Sequence, residues 1–586
     1  MNILFDIEAN GLEPTVIFCI VAMDVDTKEI YSFDNTQIKE GCDFLLKSTK
    51  LIGHNILGYD IPAIESVTGI NLSSIKAVDT LVLSRLFHPT REGGHGLESW
   101  GYRLGFKKGN YGSSEGAWDK YTPEMLEYCI NDVKLNKKVY NKLKVESRGF
   151  TSKSVQLEHA TALIIDAQRR NGFLLNLEKS MLLVAELQEK LELVQAEVHE
   201  TFKPKVIKKV LLPKYTKSGI TAKTAIDFEG NGVRLTEEEY DTIREHGKVT
   251  RTTVVDFNLG SRKQIGEYLV EFGWKPKKRT PTGQPIVDEG TLNKVKNIPE
   301  AAMIAKYLML QKRIAQVKSW LKVVDTSTSR VHGYVNPNGA VTSRMTHSHP
   351  NMAQIPSSKS PYGPECRSCW TVPKGYKLVG IDASGLELRM LAHEMNDKEY
   401  INEILNGDIH TANQKLARLE SRDQAKTFIY ALNYGAGDAK LGSVVGGGRE
   451  AGKRLRERFF SSLPSFKTLK NRISREASTG YLKALDGRRL TVRSEHAALN
   501  TLLQGNGAIV MKESLIIFNK KLKDLNLNAK FVANVHDEWQ LEVIEDQAEQ
   551  VGKLGVQSIK EATCSLKLNC PLDGEYNIGD NWYETH

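Results

Sequence analysis

Cysteine is scarce, with seven in 586 residues. A count that low excludes a disulfide framework and points to a reducing compartment. One CxxC, Cys366 and Cys369, has no second Cys or His pair at zinc-ligand spacing nearby. Ordinary packing is expected there, with zinc or redox chemistry as the alternative. The amino terminus lacks a basic segment followed by an apolar core, and no uncharged apolar run approaches the roughly 20 residues of a membrane span. A soluble intracellular protein is the expectation. Neither sign of charge dominates: 80 Lys and Arg against 71 Asp and Glu leave a formal +9, a weak pointer to a polyanionic partner. The length suggests about four domains. Where the charges stand matters more than their sum.

The stretch that organises the chain is Lys377 to His393, KLVGIDASGLELRMLAH. Leu378, Val379 and Ile381 make Lys377 to Ile381 a buried strand, and Gly385 punctuates the residues after it. Asp382 then stands at a strand end. Either Asp382 or Ser384 caps a helix starting near Leu386, or Asp382 faces a cleft as a metal ligand. A second acidic element favours the ligand. FVANVHDEWQLEVI, 531 to 544, reads as a hairpin that brings Asp537 and Glu538 to a tight turn. Carboxylates delivered from separate strands are what two Mg²⁺ ions need to hold the attacking and leaving oxygens of a phosphoryl transfer, roughly 4 Å apart. The pattern is that of a nucleotidyl transferase.

Another acidic set lies near the amino terminus. In MNILFDIEANGL a buried strand, Ile3 to Ile7, sets Asp6 and Glu8 two residues apart on one face. Asp60 follows in HNILGYD, and Tyr128 and Asp132 stand one helical turn apart in EMLEYCINDV. Four carboxylates and a tyrosine, from a strand, a loop and a helix, suit a two-metal hydrolytic site in which Tyr128 orients the attacking water. Any one of these acids is more often a surface charge; the ordered four carry the signal. Asp79, directly before Thr80 and LVLSRLF, is expected to cap a helix instead. Gly93 to Gly96 show no phosphate-binding pattern.

Between the two sets, Leu175 to Glu200 (apolar at 182, 183, 187, 191, 194 and 198) and Ala301 to Val324 have the spacing of long amphipathic helices able to pack antiparallel. Lys203 to Asp256 lacks that period. Its first part, KPKVIKKVLLPKYTKSGITAK, holds seven lysines and no acid before Asp227. Such a run reads as a mobile solvated face. Farther on, Arg422, Lys426, Tyr430 and Tyr434 recur every four residues, two cations and then two aromatics in one slightly spiralled stripe. That order suits a reader of triphosphate and base.

DASGLELR, RDQAKTFIYALNYGAG (422 to 437) and VHDE (535 to 538) resemble the three palm and fingers motifs of family A DNA polymerases. From DIEANGL (6 to 12) through NPNGAVTSR (336 to 344) and NGDIHT (406 to 411) to RSEHAALNTLLQ (493 to 504), the chain is similar to the replicative polymerases of T-seven-type short-tailed phages. The resemblance implies an α/β multidomain protein. An RNase H-like 3′→5′ exonuclease of the DEDD type, tyrosine subtype, would occupy 1–150. A right-hand polymerase would come after it, with the thumb at 151–340, the basic insertion at 203–256 within it, the palm at 341–393 and 496–586, and the fingers at 394–495.

The implied activity is DNA-directed DNA synthesis with proofreading, using two Mg²⁺ at each site. Asp382, the Ala383 carbonyl and Asp537 would ligate one pair, and Asp6, Glu8, Asp60 and Asp132 the other. Arg422, Lys426 and His410 would meet the triphosphate, Tyr430 the sugar and Tyr434 the base pair. Glu387 with Tyr430 would exclude a 2′ hydroxyl. Arg344, His496 and Gln504 match residues at the minor groove or primer–template junction, and His536 one at the primer terminus. Glu538 would lie beside the site without being an essential ligand. Implied partners are primer–template DNA, dNTPs, a processivity factor at 203–256 (thioredoxin in the best-known case) and a helicase–primase, in the cytoplasm of an infected bacterial cell. A 5′-nuclease region ahead of the exonuclease is not expected. Two other readings compete: an exonuclease whose remaining chain only grips nucleic acid, and a single-subunit RNA polymerase. Asp382, Asp537, Arg422 and Lys426 argue against the first, and the Glu387–Tyr430 pair with the amino-terminal acids against the second.

Overall fold

The computed structural model describes residues 1–586, the side chain of Ser113 apart. Asn2–Ala9 is an apolar run interrupted by Asp6 and Glu8, which is how a strand covered on both faces reads. It is the centre of a five-stranded sheet ordered Ile30–Phe33, Ile17–Asp24, Asn2–Ala9, Lys50–Gly53, Lys76–Asp79. The first three strands are antiparallel and the last two join in parallel. Ile3, Phe5 and Ile7 pack on one face with Ile56, Ile61 and Ile64. Leu4 points the other way, into a cluster with Met125, Cys129 and Val133 of the helix Pro123–Glu146. Strand alternation puts Asp6 and Glu8 on that same side, under the helix that carries Tyr128 and Asp132.

Asp79 caps Thr80–Phe87 as expected, accepting from the Leu81 and Val82 amides. It also accepts from the amides of Asn55 and Leu57, at 2.9 and 3.1 Å, and so fixes the loop that leads to Asp60. Asp60 itself is not in that loop. It is the first residue of the helix Asp60–Thr68, where an acid is favoured by the positive end of the helix dipole.

A second sheet holds the other acidic pair. Tyr376–Ala383 lies between Glu538–Ile544 and Gly574–Gly579, with Ala529–Val535 outside, all antiparallel. The long helix Ala498–Asp524 and the helix Ala548–Ser565 pack with this sheet in the largest core of the chain. Close approach explains Gly555, where a Cβ would collide with Ile381. The expected helix begins at Leu386, but its N-cap is Gly385, at φ 60°, with no side-chain cap. The capping role weighed for Asp382 and Ser384 therefore falls away.

Glu178–Leu321 forms a compact unit of its own, while Met1–Leu177 and Lys322–His586 together form the other. Both expected long helices are present, Leu177–Thr201 and Pro299–Val323. Leu182, placed on the apolar stripe of the first, is 64% exposed, and Val184 is buried instead. The larger correction concerns Lys203 to Asp256, which is ordered secondary structure. Val249–Val255, Lys205–Tyr215, Thr221–Ile226 and Gly232–Arg234 make an antiparallel sheet in that order. The helix Glu237–His246 follows the last of these in sequence, secured by a capping box of Thr236 and Glu239. Its small core is Leu211, Ala225, Leu235 and Ile243. Most lysines of the first strand face solvent, so the backbone ladder, invisible in composition, does the ordering.

Cys366 and Cys369 are buried, in keeping with the packing expectation. Among the described residues, no helix is long and apolar enough to cross a membrane.

The helix Ser152–Asn171 is shared between the two sheets of the larger unit. His159 accepts from the Asp79 amide through Nε2, at 2.9 Å, which leaves Nδ1 to donate to the Val155 carbonyl at 2.8 Å. Its neighbour Glu158 turns the other way. It accepts from Lys512 Nζ at 2.7 and 2.9 Å and pairs with Arg488, whose guanidinium also forks onto Asp486. Two carboxylates and two cations, all buried, balance one another there. A buried charge costs several kcal/mol unless it is paired in this way.

Candidate active sites

At the end of Tyr376–Ala383, Asp382 is in register with Glu538 on one neighbour and with Glu575 on the other. The 535–538 hairpin turns through His536, at φ 58°, and Asp537. The Ala383 amide donates to the Asp537 carbonyl at 3.1 Å, which pins the turn to the strand end and holds Asp537 beside Asp382. Burial first, and then the charges of Asp537, Glu538 and Glu575, push the Asp382 carboxyl up to about 8. A cation between the two aspartates would relieve that repulsion.

Glu538 has its own partners. It accepts from Gln540 Nε2 at 2.5 Å, Trp582 Nε1 at 2.6 Å and His586 Nδ1 at 2.8 Å. Burial works against its ionised form, but these bonds, led by His586, outweigh it and hold the carboxyl below its usual range. Its lone pairs are thus committed away from Asp382 and Asp537.

The stripe begins on the helix Arg422–Asn433, which is capped by Ser421. Arg422 forks onto Asp408, with Nε 2.6 Å from Oδ2 and Nη2 3.2 Å from Oδ1. Asp408 also caps the helix that carries His410, accepting from its amide at 3.0 Å. The His410 ring lies 6.3 Å from that of Tyr430, with Nδ1 buried and without a hydrogen-bond partner. Lys426 is exposed. Tyr434 is the helix C-cap, before Gly435 at φ 71°, where a Cβ would run into the His496 carbonyl.

Glu387, on the first turn of Leu386–Met395, is where these residues meet the next group. Its Oε1 accepts from Arg344 Nη2 at 3.1 Å and from the Tyr434 hydroxyl at 3.2 Å, and Gln504 bonds the same hydroxyl. The hydrogen-bonded neighbour of Glu387 is therefore Tyr434. Tyr430 is near enough only for the Glu387 charge, after burial, to raise its phenol. His536 is held below the usual imidazole range, by burial first and then by Arg344. His496 is exposed.

The amino-terminal acids also converge. Carboxylate oxygens of Asp6 and Glu8 lie within 4.8 Å of each other and of Cys129 Sγ. Asp60 accepts from the Ile7 amide at 3.2 Å. Burial is the largest cause raising all four carboxyls, Asp60 to about 7, and their mutual charges add to it for Asp6 and Glu8. Asp132 Oδ1 is buried with no hydrogen-bond partner, while Oδ2 is 2.8 Å from Lys108 Nζ. Four crowded acids, one with an idle oxygen, form a hard donor set short of positive charge, which fits Mg²⁺. Cys129 is no ligand here: burial pushes its thiol well up, and it donates to the Asp6 carbonyl. Lys108 escaped sequence reasoning, because a lysine in the loop GFKKGNYG has no period or motif to mark it.

A family model described as DNA polymerase family A matches residues 233–584. The DNA-directed DNA polymerase of Escherichia phage T7 is 34% identical over 100% of both chains, and that of Enterobacteria phage T3 is 34% identical over 99% of both. The chain belongs to DNA polymerase family A. This family A enzyme is a DNA-directed DNA polymerase, of a family that uses divalent metal ions. Its fold is mixed α/β and similar to the polymerase domain of Pol1 from M. smegmatis, solved with DNA primer-template and dNTP. That likeness has a TM-score of 0.78 at 18% identity over 100% of this chain and 95% of the other.

Proposed function

We propose that this polymerase both extends and proofreads, with a two-metal site for each reaction in the larger compact unit. The observation that carries the synthetic site is Asp382, raised by burial and then by its acidic neighbours at a strand end where the 535–538 turn is bonded to it. Asp382, Asp537 and the Ala383 carbonyl hold one pair of Mg²⁺ ions. Asp6, Glu8, Asp60 and Asp132 hold the other, a reading supported by the idle Oδ1 of Asp132. The mixed sheet with helices on both faces supports an RNase H-like exonuclease at 1–150. Thumb, palm and fingers take the spans 151–340, 341–393 with 496–586, and 394–495.

When bound, divalent ions supply Lewis acidity to the primer 3′ oxygen and the departing pyrophosphate at one site, and to the attacking water at the other. The side chains do the rest. Arg422 exchanges Asp408 for the β and γ phosphates, and Lys426 and His410 meet the same anion. Glu387 and Tyr430 crowd the sugar C2′ and so admit deoxynucleotides. Tyr434 faces the base pair. Arg344, Gln504 and His496 meet minor-groove or junction atoms, where acceptors are alike for every correct pair, and His536 meets the primer terminus. At the second site Tyr128 orients the water. The basic sheet within 203–256 receives a processivity partner of thioredoxin type, and a helicase–primase completes the assembly in the cytoplasm of an infected bacterial cell.

The test is a primer labelled at its 5′ end. It should lengthen with template, Mg²⁺ and the four dNTPs, and shorten from its 3′ end with Mg²⁺ alone. An intact primer in the second tube would leave a polymerase without proofreading. The sugar assignment has its own check. The Tyr430 hydroxyl can stand in for a missing 3′ hydroxyl, so Tyr430→Phe is expected to lower the ratio of dideoxy to deoxy incorporation at least about tenfold, the worth of one hydrogen bond to a charged group. Equal ratios in single-nucleotide extension would refute it.

A further inference from the structure

Lys108 lies in the glycine-flanked loop 105–112, yet only 23% of its side chain is exposed. Its ammonium is 2.8 Å from Asp132 Oδ2, hydrogen-bonds the Tyr128 hydroxyl, and lies 5.1 Å from the centre of the Tyr128 ring. The surroundings hold it there. Rings of Tyr111 and Trp118 pack on Tyr128 at 5.9 and 6.2 Å, and a Cβ on Gly109 would lie 3.1 Å from the same ring. A cavity of about 650 Å³ lined by Tyr102, Phe106, Lys108, Asn110 and Tyr128 opens beside it. The lysine therefore bridges the two residues to which proofreading gives different tasks, one a metal ligand and the other the holder of the water. Its charge also reaches Asp6 and Glu8.

We infer that Lys108 is a positioning residue of the trimming site: it fixes the Tyr128 hydroxyl beside the Asp132 carboxylate, and it competes with divalent ions for that carboxylate. The inference rests on the exonuclease reading above. The two halves of the role have opposite signs. Without the ammonium, the acids attract a divalent cation more strongly, while Tyr128 loses the bond that sets its direction. A lysine that merely braces the loop gives no such split, because loosening the site weakens metal binding as well.

The experiment uses the full chain with Lys108→Met, which keeps side-chain length and drops the charge, and with Lys108→Arg. Mn²⁺ binding is measured by electron paramagnetic resonance without DNA or nucleotide, and the sites of the trimming centre are those lost in Asp6→Ala. Trimming of a 5′-labelled single strand is measured at saturating Mn²⁺. For Lys108→Met, binding should tighten several-fold and trimming should slow about tenfold, the usual cost of losing an outer partner of a ligand. Primer extension stays at the parent rate and serves as the control for folding. Lys108→Arg should restore the parent's Mn²⁺ affinity and most of its trimming. Unchanged affinity and rate overturn the inference alone, as does slower trimming with weaker Mn²⁺ binding. A parent chain that does not trim overturns the exonuclease reading and the inference with it.

Discussion

Asp537→Asn is expected to cut primer extension about a thousandfold, about 4 kcal/mol of transition-state stabilisation, and to leave trimming of an unpaired 3′ end at the parent rate. The substitution is close to isosteric, and the bond that pins the hairpin is made by the Asp537 backbone carbonyl to the Ala383 amide, which Asn keeps. What disappears is one of the two charges proposed to hold the ions. The second charge cannot compensate, because Asp382 alone is a single ligand, and Glu538 is already engaged by Gln540, Trp582 and His586. Single-turnover extension and trimming on one labelled substrate measure both effects. Extension within tenfold of the parent, or a parallel loss of trimming, would show that Asp537 does not serve a separate synthetic site.

Asp6→Ala is expected to do the reverse, with trimming down about a thousandfold and extension untouched. Asp6 sits in mid-strand, in register with Val21, and its backbone pairing does not depend on the side chain. Burial raises its carboxyl most, and the charges of Asp60, Glu8 and Asp132 raise it further. Removing it from the metal-free chain takes away repulsion as well as a ligand. The melting temperature without divalent ions should therefore hold or rise, while the stabilisation gained on adding Mn²⁺ shrinks. A variant that trims normally would exclude Asp6 from the chemistry, and one that melts early would show that the loss of trimming came from misfolding.

The acids were legible because of where they stand. Asp382 and the Asp6–Glu8 pair interrupt strands that are otherwise apolar, and an interruption in a covered strand is visible in one dimension. Asp60 was found by its order in the set, though its helix start was not, since the N-cap position is Tyr59, which makes no cap bond. The basic sheet at 205–255 escaped because almost nothing in its first strand is buried, so no apolar period marks it. Glu387 and Tyr430 were expected at one sugar; what the spacing did not show is that the helix ends at Asn433 and turns through Gly435, which brings Tyr434 onto Glu387 as well. Lys108 depends wholly on loop placement, and no spacing in the sequence encodes that.

Helix Ser152–Asn171 presents Glu158 to one half of the larger unit and His159 to the other. If the proposed editing activity is to be removed while synthesis is kept, single carboxylates should accordingly be exchanged and the chain left whole. Cutting away the first 150 residues would strip Asp79 and its sheet from His159, and would lay bare the flank of the very helix that neutralises Lys512 and Arg488 inside the synthetic half.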